Sequence, residues 1–259
     1  MKFVFLVFLI GVFSLTGCIS AFAASAQDIR VTLESGRYDL AVEQGSALGT
    51  SDGLVLAAEA LNAKLLLGQA ERKTKTAKKA MKLAKAALAL EPKNAEAQLQ
   101  YALAYGFYGR HVSSFTAWRK NLPKKILAEI DKAAIMAPQD GRVHALKGAW
   151  HLNLLYRASG FDVEKRYGAN AQLGETYFQS ALAKYPEGDI IINASYLMLK
   201  FVLDPEIQAE TTKQALQSTL LKLKPKNAVE QQVITQMQSV YAGFETGEAL
   251  KQAEAFTNQ

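Results

Sequence analysis

The tetrapeptide Pro-Lys-Asn-Ala occurs twice, at residues 92–95 and 225–228, and it constrains the fold more than any other feature. Each copy follows a run rich in leucine and lysine and precedes a run rich in glutamine and glutamate. Proline cannot continue a helix and biases the residue before it away from helical backbone angles. Asparagine is a favoured N-cap at the start of a helix. Each copy therefore predicts a joint at which one helix ends and the next begins.

The segment before the first joint has helical periodicity. Its apolar residues are spaced three or four apart and share one helical face, which comprises Ala80, Leu83, Ala84, Ala87 and Leu88. Pro92 ends this helix, and Asn94 is placed to cap the next one. The chain has only six prolines and is rich in Ala, Leu, Lys, Gln and Glu, which favours helix over strand. The sequence thus predicts an all-α fold.

The unit that ends at Pro92 resembles a tetratricopeptide repeat, which is a helix-turn-helix unit of 34 residues. With Pro92 at the closing proline of the family, the unit begins at Leu61, and its Leu-Gly pair and small residues are Leu67-Gly68, Ala80 and Ala87. Small residues are needed there because paired helices cross at about 8–10 Å. The resemblance implies antiparallel helix pairs stacked into a solenoid, with the first helix of each pair lining a concave groove.

Less regular units follow the first one. Their approximate ranges are 95–138, 141–186 and 189–225, and a terminal helix pair begins near Asn227. The first two of these ranges exceed the period of the family, which predicts insertions at residues 109–123 and 159–171. We therefore expect residues 24–259 to form one TPR-like domain, an α-solenoid of antiparallel helix pairs with insertions.

Residues 1–23 are predicted to be a signal peptide. Met1-Lys2 precedes an apolar run of about 13 residues, which is too short to span a bilayer comfortably. Two cleavage sites remain open. Leu15-Thr16-Gly17-Cys18 resembles a bacterial lipobox, in which Cys18 is lipidated, and Ala21-Phe22-Ala23 fits ordinary signal peptidase. Both predict an exported, periplasm-facing protein, either lipid-anchored at Cys18 or soluble in the periplasm.

Cysteine content and charge narrow the classes of partner. Cys18 is the only cysteine, so the processed domain has neither a disulfide framework nor a cysteine-based metal site. The formal net charge of the chain is +6. In an exported protein this charge favours anionic envelope surfaces or acidic proteins. We expect a protein partner in the envelope, membrane attachment if Cys18 is lipidated, and no nucleic acid.

Residues that could carry catalysis show no workable pattern. The sequence contains no glycine-rich phosphate loop, nucleophile elbow or paired-carboxylate motif. The three histidines are His111, His144 and His151, and the last two lie about 10 Å apart on one helix face, too far to share a metal. The sequence therefore predicts a protein that is not an enzyme, with no catalytic residue, no metal and no cofactor.

The groove implied by the tetratricopeptide resemblance supplies candidate partner-binding residues. Carrying the first-helix positions of the family onto this sequence selects Asn62, Gln69, Gln100, Phe107, Arg142, Asn153, Asn193 and Lys200. The carboxylate clamp known in the family does not match these residues, so it is not part of the prediction.

Charged and aromatic residues supply two further candidate surfaces. A basic stripe on one helical face comprises Lys75, Lys78, Lys82 and Lys85. It fits either a solvated outer face or contact with anionic lipid headgroups, an envelope polymer or an acidic partner. The aromatic residues of the predicted insertions, Phe115, Trp118 and Phe161, favour a pocket or an interface, because insertions map to loops and loops carry function.

Two functions from different classes follow. The first is a non-enzymatic helical-repeat scaffold of the bacterial cell envelope that binds a protein partner through its concave groove. The alternative is a small-ligand carrier or transport-accessory protein with a pocket between the repeat insertions. An enzyme with an unrecognised site is a third interpretation.

Overall fold

The computed structural model describes residues 24–158 and 162–259. Within these ranges the chain is about 80% helical and contains fourteen helices and no strand. The prediction of an all-α helical-repeat fold is therefore confirmed. The predicted signal peptide with Cys18 lies outside the described residues, and so does Phe161.

The fourteen helices follow one another with short connections. They are α1 (Ala26–Glu34), α2 (Tyr38–Leu48), α3 (Ser51–Leu66), α4 (Lys73–Leu90), α5 (Ala95–Arg110), α6 (Ser114–Arg119), α7 (Leu122–Met136), α8 (Gly141–Arg157), α9 (Val163–Tyr167), α10 (Ala171–Ala183), α11 (Ile190–Leu203), α12 (Pro205–Lys222), α13 (Ala228–Thr246) and α14 (Ala249–Thr257).

The helices pack as successive pairs. The pairs are α1–α2, α3–α4, α5–α7, α8–α10, α11–α12 and α13–α14. The first helices of neighbouring pairs also contact each other, since α3 packs on α5, α8 packs on α11, and α11 packs on α13. The short helices α6 and α9 fall inside the predicted insertions, where they interrupt the second and third of the predicted units.

Both Pro-Lys-Asn-Ala copies are joints between helices, as predicted. Asn94 accepts a hydrogen bond from the backbone N–H of Ala97 at 2.9 Å, and Asn227 accepts one from the N–H of Glu230 at 2.9 Å. Each asparagine thus satisfies a backbone donor that would otherwise lack a partner in the first turn of α5 or α13.

Small residues let the helices approach closely. Ala80 and Ala87, which the sequence placed at close crossings, have no exposed surface. In the fourth pair, a Cβ atom on Gly148 would lie 2.9 Å from the carbonyl oxygen of Gly174, so α8 and α10 meet nearly backbone to backbone. A larger side chain at these positions would force the helices apart.

The terminal pair α13–α14 also contacts the first helices of the chain. A Cβ atom on Gly36 would lie 3.0 Å from the Cβ of Ala228, and Gln69 Nε2 donates to Gln232 Oε1 at 2.6 Å. One hydrophobic cluster accordingly contains buried residues of α1–α3 together with residues of α13 and α14. This closure, which the sequence analysis did not predict, places the end of the chain beside α4, α5 and α8.

Candidate functional site

The two insertions border a partly open cavity of about 490 Å³. Residues of α6 and α9 line it together with residues of α5, α7 and α8. Its walls are mainly apolar and include Leu122, Ile126, Ile130, Leu146, Leu154 and Val163. A volume of several hundred cubic ångströms with apolar walls is typical of small-molecule sites.

Two tryptophans shape the cavity wall. Trp150 is buried, and its Nε1 donates to the carbonyl oxygen of Pro123 at 3.0 Å, which fixes the orientation of the ring. Trp118 lies on α6, is 48% exposed, and has the Arg166 guanidinium 5.6 Å from its ring centroid. This cation–π contact connects α6 to α9, so the two insertions meet at the cavity.

Positive charge dominates the polar part of the lining. Arg110, Arg157 and Arg166 all line the cavity, and no acidic residue does so among the described residues. Within residues 24–158 and 162–259, none of the three arginines forms an ion pair with a carboxylate. The sequence has no acidic residue at all between Glu96 and Glu129, the stretch that supplies α6 and much of α5 and α7.

The pKa values of nearby groups reflect this excess of positive charge. Burial lowers the pKa of Arg110 to about 9, and the charge of Arg157 adds to the effect. Burial also lowers the pKa of Arg157. Burial, followed by the charges of Arg110, Lys73 and Arg157, lowers the pKa of His111 to about 4. The site therefore disfavours further positive charge and favours an anion.

Arg157 joins the cavity to the end of the chain. Its Nη2 donates to the carbonyl oxygen of Thr257 and to Asn258 Oδ1, each at 2.9 Å, and its Nη1 donates to the carbonyl oxygen of Arg110 at 3.4 Å. Its Nε is buried without a partner among the described residues. The residues at the end of the chain thus hold Arg157 in place through neutral oxygens. These oxygens do not compensate its positive charge.

Three of the predicted groove residues, Asn62, Gln100 and Phe107, are buried. Asn62 Nδ2 donates to the carbonyl oxygen of Gln100 at 3.1 Å and to its Oε1 at 2.8 Å. Gln100 Nε2 in turn donates to Glu96 Oε1 at 2.8 Å. These side chains lie inside the protein rather than on an open groove, because α3 and α5 pack directly on each other. Partner binding at these positions stays a prediction.

The other five groove residues do not form one surface. Arg142 joins the network of α5 by donating to Glu96 and to Asp140, at 2.7 and 2.6 Å. Asn153 lines the cavity, and its Nδ2 donates to the carbonyl oxygen of Ala149. The remaining three have partners within the chain: Gln69 with Gln232, Asn193 with the Asp189 carbonyl, and Lys200 with Glu175.

The basic stripe lies on the outer face of α4, where Lys75, Lys78, Lys82 and Lys85 are all exposed. Lys78 Nζ lies 5.4 Å from the centroid of the Tyr108 ring, and Lys120 Nζ lies 3.5 Å from the hydroxyl oxygen of the same tyrosine. The stripe is therefore adjacent to the basic residues that follow α6.

The histidines have separate structural surroundings. His144 lies 3.1 Å from both the Pro138 carbonyl and the Ser180 hydroxyl, and His151 accepts a hydrogen bond from the backbone N–H of Asn170. Across the described ranges, no group of three or more His, Cys, Asp or Glu side chains is placed to hold a metal ion.

The region that holds the cavity matches a known protein family. The family model described as Regulator of microtubule dynamics protein 1-3 matches residues 43–187. The chain belongs to this family. No curated protein matches the chain.

The region that matches the regulator of microtubule dynamics family runs from within α2 to just past α10, so it contains every residue that lines the cavity. It leaves out α11–α14, and with them Thr257 and Asn258, which contact Arg157. The matching family model is not a tetratricopeptide model, so the tetratricopeptide resemblance stays a prediction. None of the helices in the described part of this family member is both long and apolar enough to cross a membrane.

Sequence reasoning missed the cluster of Arg110, Arg157 and Arg166. They lie on α5, α8 and α9, and only the packing of these helices brings them to one cavity. Two signals in the sequence point toward the region: the aromatic residues of the insertions, and the absence of acidic residues between Glu96 and Glu129.

Proposed function

We propose that this chain is a non-enzymatic binding protein whose cavity holds an amphiphilic anion. Such a ligand is apolar over most of its surface and carries one carboxylate or phosphate group. The observation that carries the proposal is Arg110, a partly buried cation that lines an apolar cavity and has no carboxylate partner among the described residues. The apolar walls would bury the body of the ligand, and Arg110 would bind its anionic group.

Charge burial explains why a ligand with this chemistry fits. A buried charge without a counter-charge is costly, and a charge-assisted hydrogen bond to an anion offsets much of that cost. Arginine suits the role, because its planar guanidinium can donate two parallel hydrogen bonds to one carboxylate or phosphate. Arg166 lies at the exposed edge of the cavity and would add attraction for the same group.

The scaffold hypothesis has less support from the geometry. Its concave residues are buried or hydrogen-bonded within the chain, so a protein segment would have to displace those contacts. Export to the envelope remains our proposal from residues 1–23. The family name refers to microtubule dynamics, and none of the contacts described above bears on that activity.

Isothermal titration calorimetry of the full chain with three matched probes tests the proposed function. The probes are decanoate, decan-1-ol and decyltrimethylammonium, which share a ten-carbon chain and carry a negative, neutral or positive head. We expect decanoate to bind at least tenfold more tightly than the alcohol, and the cation to bind most weakly. Equal affinities for the three probes would contradict the proposed role of Arg110.

Matched variants locate the site. Arg110→Met should reduce decanoate affinity about tenfold or more, the effect of a lost charge-assisted hydrogen bond, and should leave decan-1-ol affinity unchanged. Ala149→Trp should fill part of the cavity and weaken both probes. Arg72→Met removes an exposed arginine at the start of α4 and serves as the control. Decanoate binding that survives both cavity variants would refute this cavity as its site.

A further inference from the structure

Helix α6 exposes two aromatic side chains beside the cavity. Phe115 is 66% exposed, Trp118 is 48% exposed, and their ring centroids lie 6.0 Å apart. The other large hydrophobic residues that are exposed in the described part of the chain are aliphatic and lie singly along their helices. Trp118 also lines the cavity and contacts Arg166, but the exposure of Phe115 on a short helix with no buried residue is not explained by packing within the domain.

Four basic residues follow this pair in the sequence, on the end of α6 and the start of α7, which pack on each other. Arg119 and Lys120 follow Trp118 directly, and Lys124 and Lys125 begin the next helix; all four are exposed. None of the four forms an ion pair within the described ranges. We use the name α6 patch for Phe115, Trp118, Arg119, Lys120, Lys124 and Lys125. Through Tyr108, which contacts both Lys120 and Lys78, the patch adjoins the basic stripe of α4.

We infer that the α6 patch docks this protein onto an anionic lipid surface. Tryptophan and phenylalanine partition into the interface between headgroups and acyl chains, where the aromatic ring is partly desolvated. Lysine and arginine beside them attract anionic headgroups. The combination of aromatic and basic residues matches a bilayer interface better than an acidic protein, which would supply no acyl region for Phe115.

Docking in this orientation would bring the cavity to the bilayer. Trp118 belongs both to the α6 patch and to the cavity lining, and Ser114 and Ala117 of the same helix also line the cavity. A membrane amphiphile could therefore pass between the bilayer and the cavity beside α6. This transfer step rests on the proposed function, whereas the docking step rests on the exposed patch alone.

Vesicle flotation with the full chain tests the docking step. The vesicles contain either phosphatidylcholine alone or phosphatidylcholine with 30% phosphatidylglycerol. We expect binding to the anionic vesicles that weakens as salt rises. Lys124→Ala/Lys125→Ala should lower the partition coefficient roughly 25-fold, at about fivefold per lysine near an anionic surface. Phe115→Ala should lower it about fivefold or more by removing the inserted ring.

Each control variant removes the same number of lysines, or one large apolar side chain, at a position outside the α6 patch. Lys222→Ala/Lys224→Ala removes two exposed lysines far along the chain, and Ile135→Ala removes an apolar side chain that is 81% exposed at the other end of α7. All variants carry the same N-terminal segment, so only differences between variants are compared. Partition coefficients that fall equally in control and patch variants, or that do not change in the patch variants, would overturn the inference.

Two further measurements separate the alternatives. Polyglutamate that binds the chain through Lys124 and Lys125, with no contribution from Phe115, would show an acidic polymer partner and overturn the lipid assignment. Neither Phe115, Lys124 nor Lys125 lines the cavity, so decanoate affinity should be unchanged in these variants. Loss of vesicle binding with intact decanoate binding thus tests docking separately from the proposed function.

Discussion

Two arginines in neighbouring regions of the molecule have opposite surroundings. At the contact between α5 and α8, Arg142 donates to Glu96 and to Asp140, and although burial opposes the shift, these carboxylates raise its pKa. In the insertion cavity, Arg110 has no carboxylate partner among the described residues, and burial lowers its pKa to about 9. One charge is neutralised by the chain itself, whereas the other is not.

The difference distinguishes structural groups from groups available to a ligand. The polar network of Asn62, Gln100, Glu96 and Arg142 ties α3 to α5 and α8, so its polar groups already have a role in the fold. The cavity arginines do not stabilise the empty protein through ion pairs. A polar group that destabilises the fold and lines a cavity is typical of a functional site.

The largest effect on this comparison should come from Arg110→Met. Methionine keeps an unbranched stem, and the substitution removes a partly buried charge that has no carboxylate partner among the described residues, so we expect the free energy of unfolding to rise by about 1–4 kcal/mol. Urea denaturation of the ligand-free protein measures the change. A lower stability would mean that Arg110 has a counter-charge in the folded protein, and the contrast with Arg142 would fail.

The next effect concerns pH and His111. Its folded-state pKa of about 4 lies below the ordinary value of 6.5, so the unfolded state binds more protons between these values. Stability from this group is complete above pH 6.5 and is lost as pH falls toward 4, by less than about 3 kcal/mol because solvent screens this half-buried ring. Unfolding of wild type and His111→Gln at pH 7.0 and 4.5 isolates this contribution. Because the charge of Arg110 helps to lower the pKa of His111, Arg110→Met should reduce the pH dependence of the free energy of unfolding. An unchanged pH dependence would show that the cavity charges do not affect His111.

The features that were predictable from the sequence are local ones. Pro92, Asn94 and Ala87 each act through neighbours within a turn or through the adjacent helix, so their joints, caps and close crossing follow from spacing alone. The closure by α13–α14 and the arginine cluster depend on contacts between residues far apart in sequence. Arg157 and Thr257, for example, are separated by 100 positions. Helical periodicity shows which face of a helix is apolar, but it does not show which distant helix covers that face.

Arg142→Met should act with the opposite sign to Arg110→Met. It removes a cation from between Glu96 and Asp140, both partly buried, and we expect a loss of about 1–3 kcal/mol. Decanoate affinity should not change, because Arg142 does not line the cavity. A gain in stability would show that the charges of this polar network are as uncompensated as those of the cavity. A weaker affinity for decanoate would show that the two regions are coupled.

The smallest effects should come from the two capping asparagines. Their side chains, like that of Arg142, are hydrogen-bonded within the chain. Asn94→Ala removes a cap and two further hydrogen bonds, from Asn94 Nδ2 to Ser51 and to Glu91, so we expect a loss of about 1–2 kcal/mol. For Asn227→Ala, the cap is the only side-chain hydrogen bond of this asparagine within residues 24–158 and 162–259, and about 0.5–1 kcal/mol should be lost.

Denaturant midpoints compare the two capping variants directly, and decanoate titration compares each of them with Arg110→Met. Both asparagines lie outside the cavity lining, so stability should fall without any change in decanoate affinity. That pattern would be the inverse of Arg110→Met, where affinity falls and stability rises. If a lost cap weakened decanoate binding as much as the lost arginine, binding would follow the overall stability of the fold. The uncompensated charge of Arg110 would then not be the group that recognises the anion.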